Sequence, residues 1–187
     1  MPVAQHVRKD TTSKFERGTM DLQKILTATA AFFLFSTAAV TAQTPTQMNQ
    51  FNSWGTYSYT DSGKKVCFIL SVPTKKEPAS VTHGDIFFLV TQKPDQGVAY
   101  EPQAMMDYQL KEGSDVTVDV DGKTFAMFSE DKSAWMKNAA EEPQLVAALK
   151  AGRSLTVKAV SRRGTNTSYT YSLSGVTAAL DSIKNCK

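Results

Sequence analysis

Cysteine and histidine are scarce in this chain. Its 187 residues hold two cysteines, Cys67 and Cys186, and two histidines, His6 and His83. His6 lies in the N-terminal segment read below as extension and signal, which leaves one histidine and two cysteines far apart in sequence; that is too few for a four-ligand zinc site and the wrong spacing for a redox CxxC pair, and no metal or cofactor is expected. No Gly-x-Ser-x-Gly elbow occurs, so the signal of a serine-hydrolase nucleophile is missing. Charge of one sign is also lacking: 21 Lys and Arg stand against 18 Asp and Glu, a formal +3. That excess is too small for the basic footprint of nucleic-acid binding.

Long apolar runs are confined to one place. Lys24 is followed by Ile25, Leu26, Ala30 and Phe32-Phe33-Leu34-Phe35, and then by small residues ending Val40-Thr41-Ala42. This is the pattern of a secretory signal peptide, with cleavage expected after Ala42. A transmembrane anchor needs about 20 predominantly apolar residues, and Thr27, Thr29, Ser36 and Thr37 interrupt this run. The polar stretch Met1–Gly18 precedes the signal, and either Met1 or Met20 can be the start. Residues 1–42 are therefore read as extension and signal, 43–50 as a disordered leader rich in Thr, Gln and Pro, and 51–187 as one folded domain with no integral membrane span. Beyond Ala42 there remain 16 Lys and Arg against 15 Asp and Glu. Both cysteines survive cleavage, and an even pair in an exported chain reads as one disulfide, the alternative being two separate thiols.

What the folded part does have is strand signal. Lys65–Val72 is apolar on both faces, and Ile86–Val90 is a continuous apolar run between Gly84-Asp85 and Lys93-Pro94; both read as core strands. Val116–Phe128 reads as a hairpin turned at Asp121-Gly122, a pair that tolerates the positive φ of a two-residue turn. Pairing Val120 with Lys123 sets Val118 opposite Phe125 and Val116 opposite Met127. Ser133–Lys150 changes to helical spacing through Trp135, Ala139, Leu145, Val146 and Leu149, with Pro143 at a helix start and Gly152 past its end. Leu155–Val160 and Ser168–Leu173 return to strands around a turn at Arg162-Arg163-Gly164-Thr165. Gly175 then opens a last helix with Val176, Ala179, Leu180 and Ile183 on one stripe. The expectation is a mainly β domain: an antiparallel β-sandwich with a helical insertion and a C-terminal helix.

Candidate functional residues are few. His83 reads as a loop histidine, and no catalytic residue is assigned. Glu141-Glu142 suits a helix start, and Asp119 and Asp121 belong to the hairpin turn; neither pair forms a calcium loop. Arg162-Arg163 is the basic cluster at a turn, a candidate contact for an anion or lipid headgroup. In the aromatic group Phe51, Trp54, Tyr57 and Tyr59, strand alternation separates Trp54 from Tyr57 and places Tyr57 with Tyr59. Core packing is the simpler reading of that group, and a binding surface at Tyr57, Tyr59, Arg162 and Arg163 the functional one.

A set of segments resembles the invasion-associated locus B family of exported alphaproteobacterial proteins. They are Lys65-Val66-Cys67-Phe68, Gly84-Asp85-Ile86-Phe87-Phe88, Phe125-Ala126-Met127-Phe128, Ala134-Trp135 and Arg163-Gly164-Thr165 leading to Thr170-Tyr171-Ser172-Leu173-Ser174-Gly175. The resemblance implies an immunoglobulin-like sandwich and a location that is periplasmic, outer-membrane-associated or secreted. It implies a role in host-cell invasion or envelope maintenance through an envelope or host macromolecule, with no catalytic residues to carry over. A periplasmic accessory or chaperone-like subunit is the alternative. Many members place a cysteine shortly after a tryptophan in the first strand; Trp54–Thr60 has none, which supports the Cys67–Cys186 pairing instead.

Overall fold

The computed structural model describes residues 44–94 and 97–186; the signal segment and both candidate starts lie outside them. Eleven strands and two helices follow in order: β1 (Thr46–Phe51), β2 (Trp54–Asp61), β3 (Lys64–Ser71), β4 (Lys75–Glu77), β5 (Ile86–Lys93), β6 (Val98–Met106), β7 (Asp115–Val120), β8 (Lys123–Glu130), β9 (Ser133–Met136), α1 (Glu142–Ala151), β10 (Ser154–Val160), β11 (Asn166–Ser172) and α2 (Val176–Ile183). The strands form one antiparallel sheet in the order β1-β2-β3-β5-β6-β9-β8-β7-β10-β11-β4. The sheet folds over itself. Phe88 of β5 meets Tyr171 of β11 edge-on with ring centroids 6.1 Å apart, although five strands separate them in the ladder. The mainly β expectation holds, and the two facing halves are compatible with a sandwich.

Alternation builds the core. Val116, Val118 and Val120 of β7, Phe125 and Met127 of β8, and Leu155, Val157 and Ala159 of β10 all point inward and are at most 5% exposed. The β7–β8 register is the one expected, Val120↔Lys123, Val118↔Phe125 and Val116↔Met127. The turn has φ of 48° at Asp121 and 97° at Gly122. Asp121 also fastens the hairpin to the next strand, its carboxylate accepting from the Arg153 and Ser154 amides. In the helices, Leu145, Val146 and Leu149 of α1 and Val176, Ala179, Leu180 and Ile183 of α2 join the same core. Just past α2, Cys186 is joined to Cys67 of β3, with Cα atoms 5.8 Å apart and a sequence separation of 119.

Two expectations are corrected. Residues 43–50 were expected to be a disordered leader, yet Thr46–Phe51 pairs with β2 from Thr46↔Ser58 to Phe51↔Trp54. Its side chains are nearly all exposed, so main-chain hydrogen bonds along a sheet edge hold it, and these leave no hydrophobic pattern to read. Ser133–Met136, expected within the helical insertion, is instead strand β9, set between β6 and β8 with Ala134 and Met136 inward. Four residues of period two were masked by the chance four-residue spacing of Trp135 and Ala139. The helix itself begins at Glu142, with Pro143 in its first turn and Gly152 as its C-cap.

Candidate functional site

The loop between β4 and β5 carries His83, the loop after β6 carries Tyr108 and Gln109, and the turn between β10 and β11 carries Arg162 and Arg163. The sheet's closure brings these three segments together around a cavity of about 540 Å³. The 161–165 turn is held locally. The Ser161 amide donates to the Thr165 carbonyl (2.9 Å), the Gly164 amide to the Ser161 carbonyl (2.8 Å) and the Thr165 amide to Ser161 Oγ (3.1 Å). Gly164 takes φ +86°, which favours glycine. The Arg162 amide donates to the Gln109 carbonyl at 2.8 Å, tying the turn to the opposite wall. Both arginine side chains are left exposed at the cavity mouth.

Behind the mouth is a buried polar chain. His83 Nδ1 lies 3.0 Å from the Tyr169 hydroxyl, and Nε2 lies 2.9 Å from the Pro78 carbonyl. A carbonyl only accepts, so Nε2 carries the hydrogen. The Tyr169 hydroxyl is 2.9 Å from that of Tyr108, which is 2.7 Å from Thr167 Oγ1, and the threonine donates to the Ala159 carbonyl. The expected loop histidine is thus a buried brace, 9% exposed, with both ring nitrogens occupied. Burial, and after it the hydrogen bond with Tyr108, pushes the Tyr169 hydroxyl far above the ordinary tyrosine range, and burial does the same for Tyr171. Both stay protonated, so neither supplies a tyrosinate base. Among the described residues no group of three or more His, Cys, Asp and Glu side chains is placed to hold a metal ion.

Tyr171 differs from its neighbour in one respect: its hydroxyl is buried without a hydrogen-bond partner. An orphaned buried hydroxyl costs about 1–3 kcal/mol, whereas each satisfied hydrogen bond contributes about 1 kcal/mol. Tyr171→Phe is therefore expected to leave stability unchanged or raise it by about 1 kcal/mol. Tyr169→Phe, which strips partners from His83 and Tyr108, should lower it by about 1–2 kcal/mol. Urea unfolding of the two variants checks the contrast; equal losses would place a partner on Tyr171.

Tyr57 and Tyr59 lie elsewhere, on the outer face of β2. Tyr57 stacks on Phe68 of β3 (centroids 5.2 Å, planes 15° apart), and Tyr59 meets the same ring edge-on at 6.2 Å. The Tyr57 ring covers Gly55, where a Cβ would stand 2.7 Å from it. Trp54 points the other way, into the core, as alternation requires. The outer face continues as a row across five strands, Leu70–Leu89–Gln103–Trp135–Phe128, each residue paired with the next. Trp135 stacks on Phe128 at 5.8 Å. Phe128 remains 41% exposed and Met105 beside the row 37%.

The sequence singled out Arg162, Arg163 and His83 separately but gave no sign that they share a cavity. Tyr108, Gln109 and Tyr169 were missed, because the closure that unites these segments joins parts of the chain up to about 80 residues apart. The Trp135–Phe128 pair was missed through the misassigned strand. No helix of the described residues is long and apolar enough to cross a membrane.

No curated protein matches the chain. The crystal structure of invasion associated protein B from Bartonella henselae is similar to it, with a TM-score of 0.54 at 16% sequence identity over 72% of this chain and 92% of that one. At that identity the likeness concerns the fold. Residues 54–184, more than half of the chain, match the family described as Invasion associated locus B (IalB) protein, and the chain belongs to that family.

Proposed function

We propose that the chain is an exported, non-catalytic envelope or surface protein that acts by binding a macromolecule, in host-cell invasion or in envelope maintenance. The observation that carries the binding reading is the outer sheet face. Tyr57, Phe68, Leu70, Trp135 and Phe128 share it on strands β2, β3, β9 and β8, and Phe128 and Met105 are more than a third exposed. Contiguous apolar surface on a folded domain favours contact with another large molecule, and a flat sheet face suits one better than a small ligand. The disulfide supports export, since such bonds persist in oxidising compartments.

The first test is protease shaving of intact cells, with peptides of residues 43–187 followed by mass spectrometry. Release from intact cells supports action at the surface, and protection until the outer membrane is opened supports action in the periplasm. Retention of the full-length chain in the cytoplasmic fraction would overturn export. For binding itself, Phe128→Ser is expected to keep the melting temperature within a few degrees and to weaken capture of envelope material severalfold, since the minority of interface residues whose truncation costs more than about 1 kcal/mol are concentrated in large anchors near the centre of the contact. Undiminished capture would remove the outer face from the binding reading.

A second reading is favoured by β1. Among the described residues it ends the ladder and pairs on one side only, with β2, and its sequence Thr-Gln-Met-Asn-Gln-Phe has neither charge nor proline to block further pairing. An accessory subunit could add a partner's strand there. A stable co-purifying envelope protein that is lost when Gln47 is replaced by proline would support it.

A further inference from the structure

We infer that the cavity behind Arg162 and Arg163 is a binding site for a phosphorylated saccharide. The inference rests on the binding reading above and names a ligand class for one site within it.

The wall carries two cationic donors, several hydroxyls and one side-chain amide. Neither arginine takes part in any ion pair among the described residues, and neither guanidinium has a hydrogen-bond partner there. The Gln109 amide and the Thr82 and Thr165 hydroxyls, which line the same cavity, are likewise without side-chain partners. Ser161 Oγ accepts from the Thr165 amide and keeps its own hydrogen to give. No carboxylate lines the cavity. Arg162 also borders a neighbouring cavity that holds Glu112, Glu130 and Asp131, whereas Arg163 lines only the carboxylate-free one, so Arg163 is the primary anchor.

Two adjacent guanidiniums fit a dianion, and the guanidinium fork matches phosphate oxygens in paired hydrogen bonds. A volume of about 540 Å³ is far more than a bare phosphate needs and falls within the range of small-molecule sites. Hydroxyl and amide donors beside the cations suit the hydroxyls and ring oxygen of a sugar. The site is also built before a ligand arrives. Its floor is fixed by the Thr167–Tyr108–Tyr169–His83 chain and its rim by the bonded 161–165 turn, so little ordering is left for binding to drive. The sugar phosphate can be soluble or can be the headgroup of a phosphoglycolipid; the chemistry at the cavity is the same.

The test uses the full chain with its disulfide intact, titrated with inorganic phosphate, a hexose phosphate and the unphosphorylated hexose, and sedimented with phosphatidylcholine vesicles with and without lipid A. The expected result is saturable binding of the hexose phosphate, tighter than either inorganic phosphate or hexose and weakened by salt. The double variant R162A/R163A should bind about tenfold or more weakly, with R162K/R163K between them. Sedimentation with the lipid A vesicles as well points to a glycolipid headgroup, and soluble binding alone to a free sugar phosphate. Absence of saturable hexose phosphate binding, equal affinity for the bare hexose, or unchanged affinity in R162A/R163A with an unchanged melting temperature would each overturn the inference. Capture of envelope material by the same preparation would show that the broader binding reading survives that failure.

Discussion

Replacing Cys67 and Cys186 together by serine is expected to lower the stability of this domain by about 2–4 kcal/mol, which for a domain near this size is a fall of roughly 10 °C in melting temperature. The bond closes a loop of 119 residues, and the chain-entropy account gives on the order of 4–5 kcal/mol for that length as an upper figure. Residual order in the unfolded chain reduces it. Serine also introduces a polar group at two buried positions, 2% and 5% exposed, so a Cys→Ala pair should be the milder variant. The loss should not be all-or-none. Helix α2 keeps Val176, Ala179, Leu180 and Ile183 in the core without the bond, and the Gln92 side chain still donates to the Lys184 carbonyl at 2.9 Å. Urea unfolding with and without reductant, read beside the double alanine variant, measures the difference. Coincident curves would mean that the bond adds nothing to packing already sufficient.

The parts of this fold that were legible before any coordinates are those in which local pattern and burial agree. The β7–β8 register follows from one turn and one apolar face, because a slip by a single residue would turn Val116, Val118, Phe125 and Met127 outward. The stripe on α2 was legible for the same reason, at helical spacing. Strand β1 was not, since a polar edge strand is held by main-chain bonds that any sequence can make. Strand β9 was not, because four residues are too few to establish a period against neighbouring helical spacing. The cavity was the least legible feature. Its residues come from three separate connections, and nothing in any one of them encodes that Arg162 will bond Gln109 through the backbone. The strand signals on either side placed the Arg162-Arg163-Gly164-Thr165 turn in the chain but carried no information about what stands opposite it.

What unites those three connections is the folding-over of the sheet, and Trp54→Ala should be the single substitution that damages it most. Trp54 is fully buried; its ring meets Phe88 of β5 edge-on at 6.4 Å, and its Nε1 donates to the Ser172 carbonyl of β11 at 2.9 Å. One side chain on β2 therefore grips both halves of the sheet, beside the Ser53 amide, which donates to the Ser174 carbonyl at 3.2 Å. Removing the ring leaves a large void, costing about 3–5 kcal/mol, and strips the Ser172 carbonyl of a partner. Against a usual total of about 5–15 kcal/mol, that is enough to bring the domain near unfolding. Trp54→Phe keeps most of the ring volume and should cost about 1–3 kcal/mol through the lost hydrogen bond and the smaller ring. In that variant Trp135, partly buried on the outer face, is the remaining tryptophan, so iodide should quench a larger share of the fluorescence than in the parent chain, where buried Trp54 also emits. If Trp54→Ala proved no worse than Trp54→Phe, the grip would lie in the hydrogen bond and not in the ring. The contrast with Arg163 separates fold from site. Trp54 variants should weaken ligand binding only as far as they unfold the chain, whereas an Arg163 variant should weaken binding with the melting temperature unmoved.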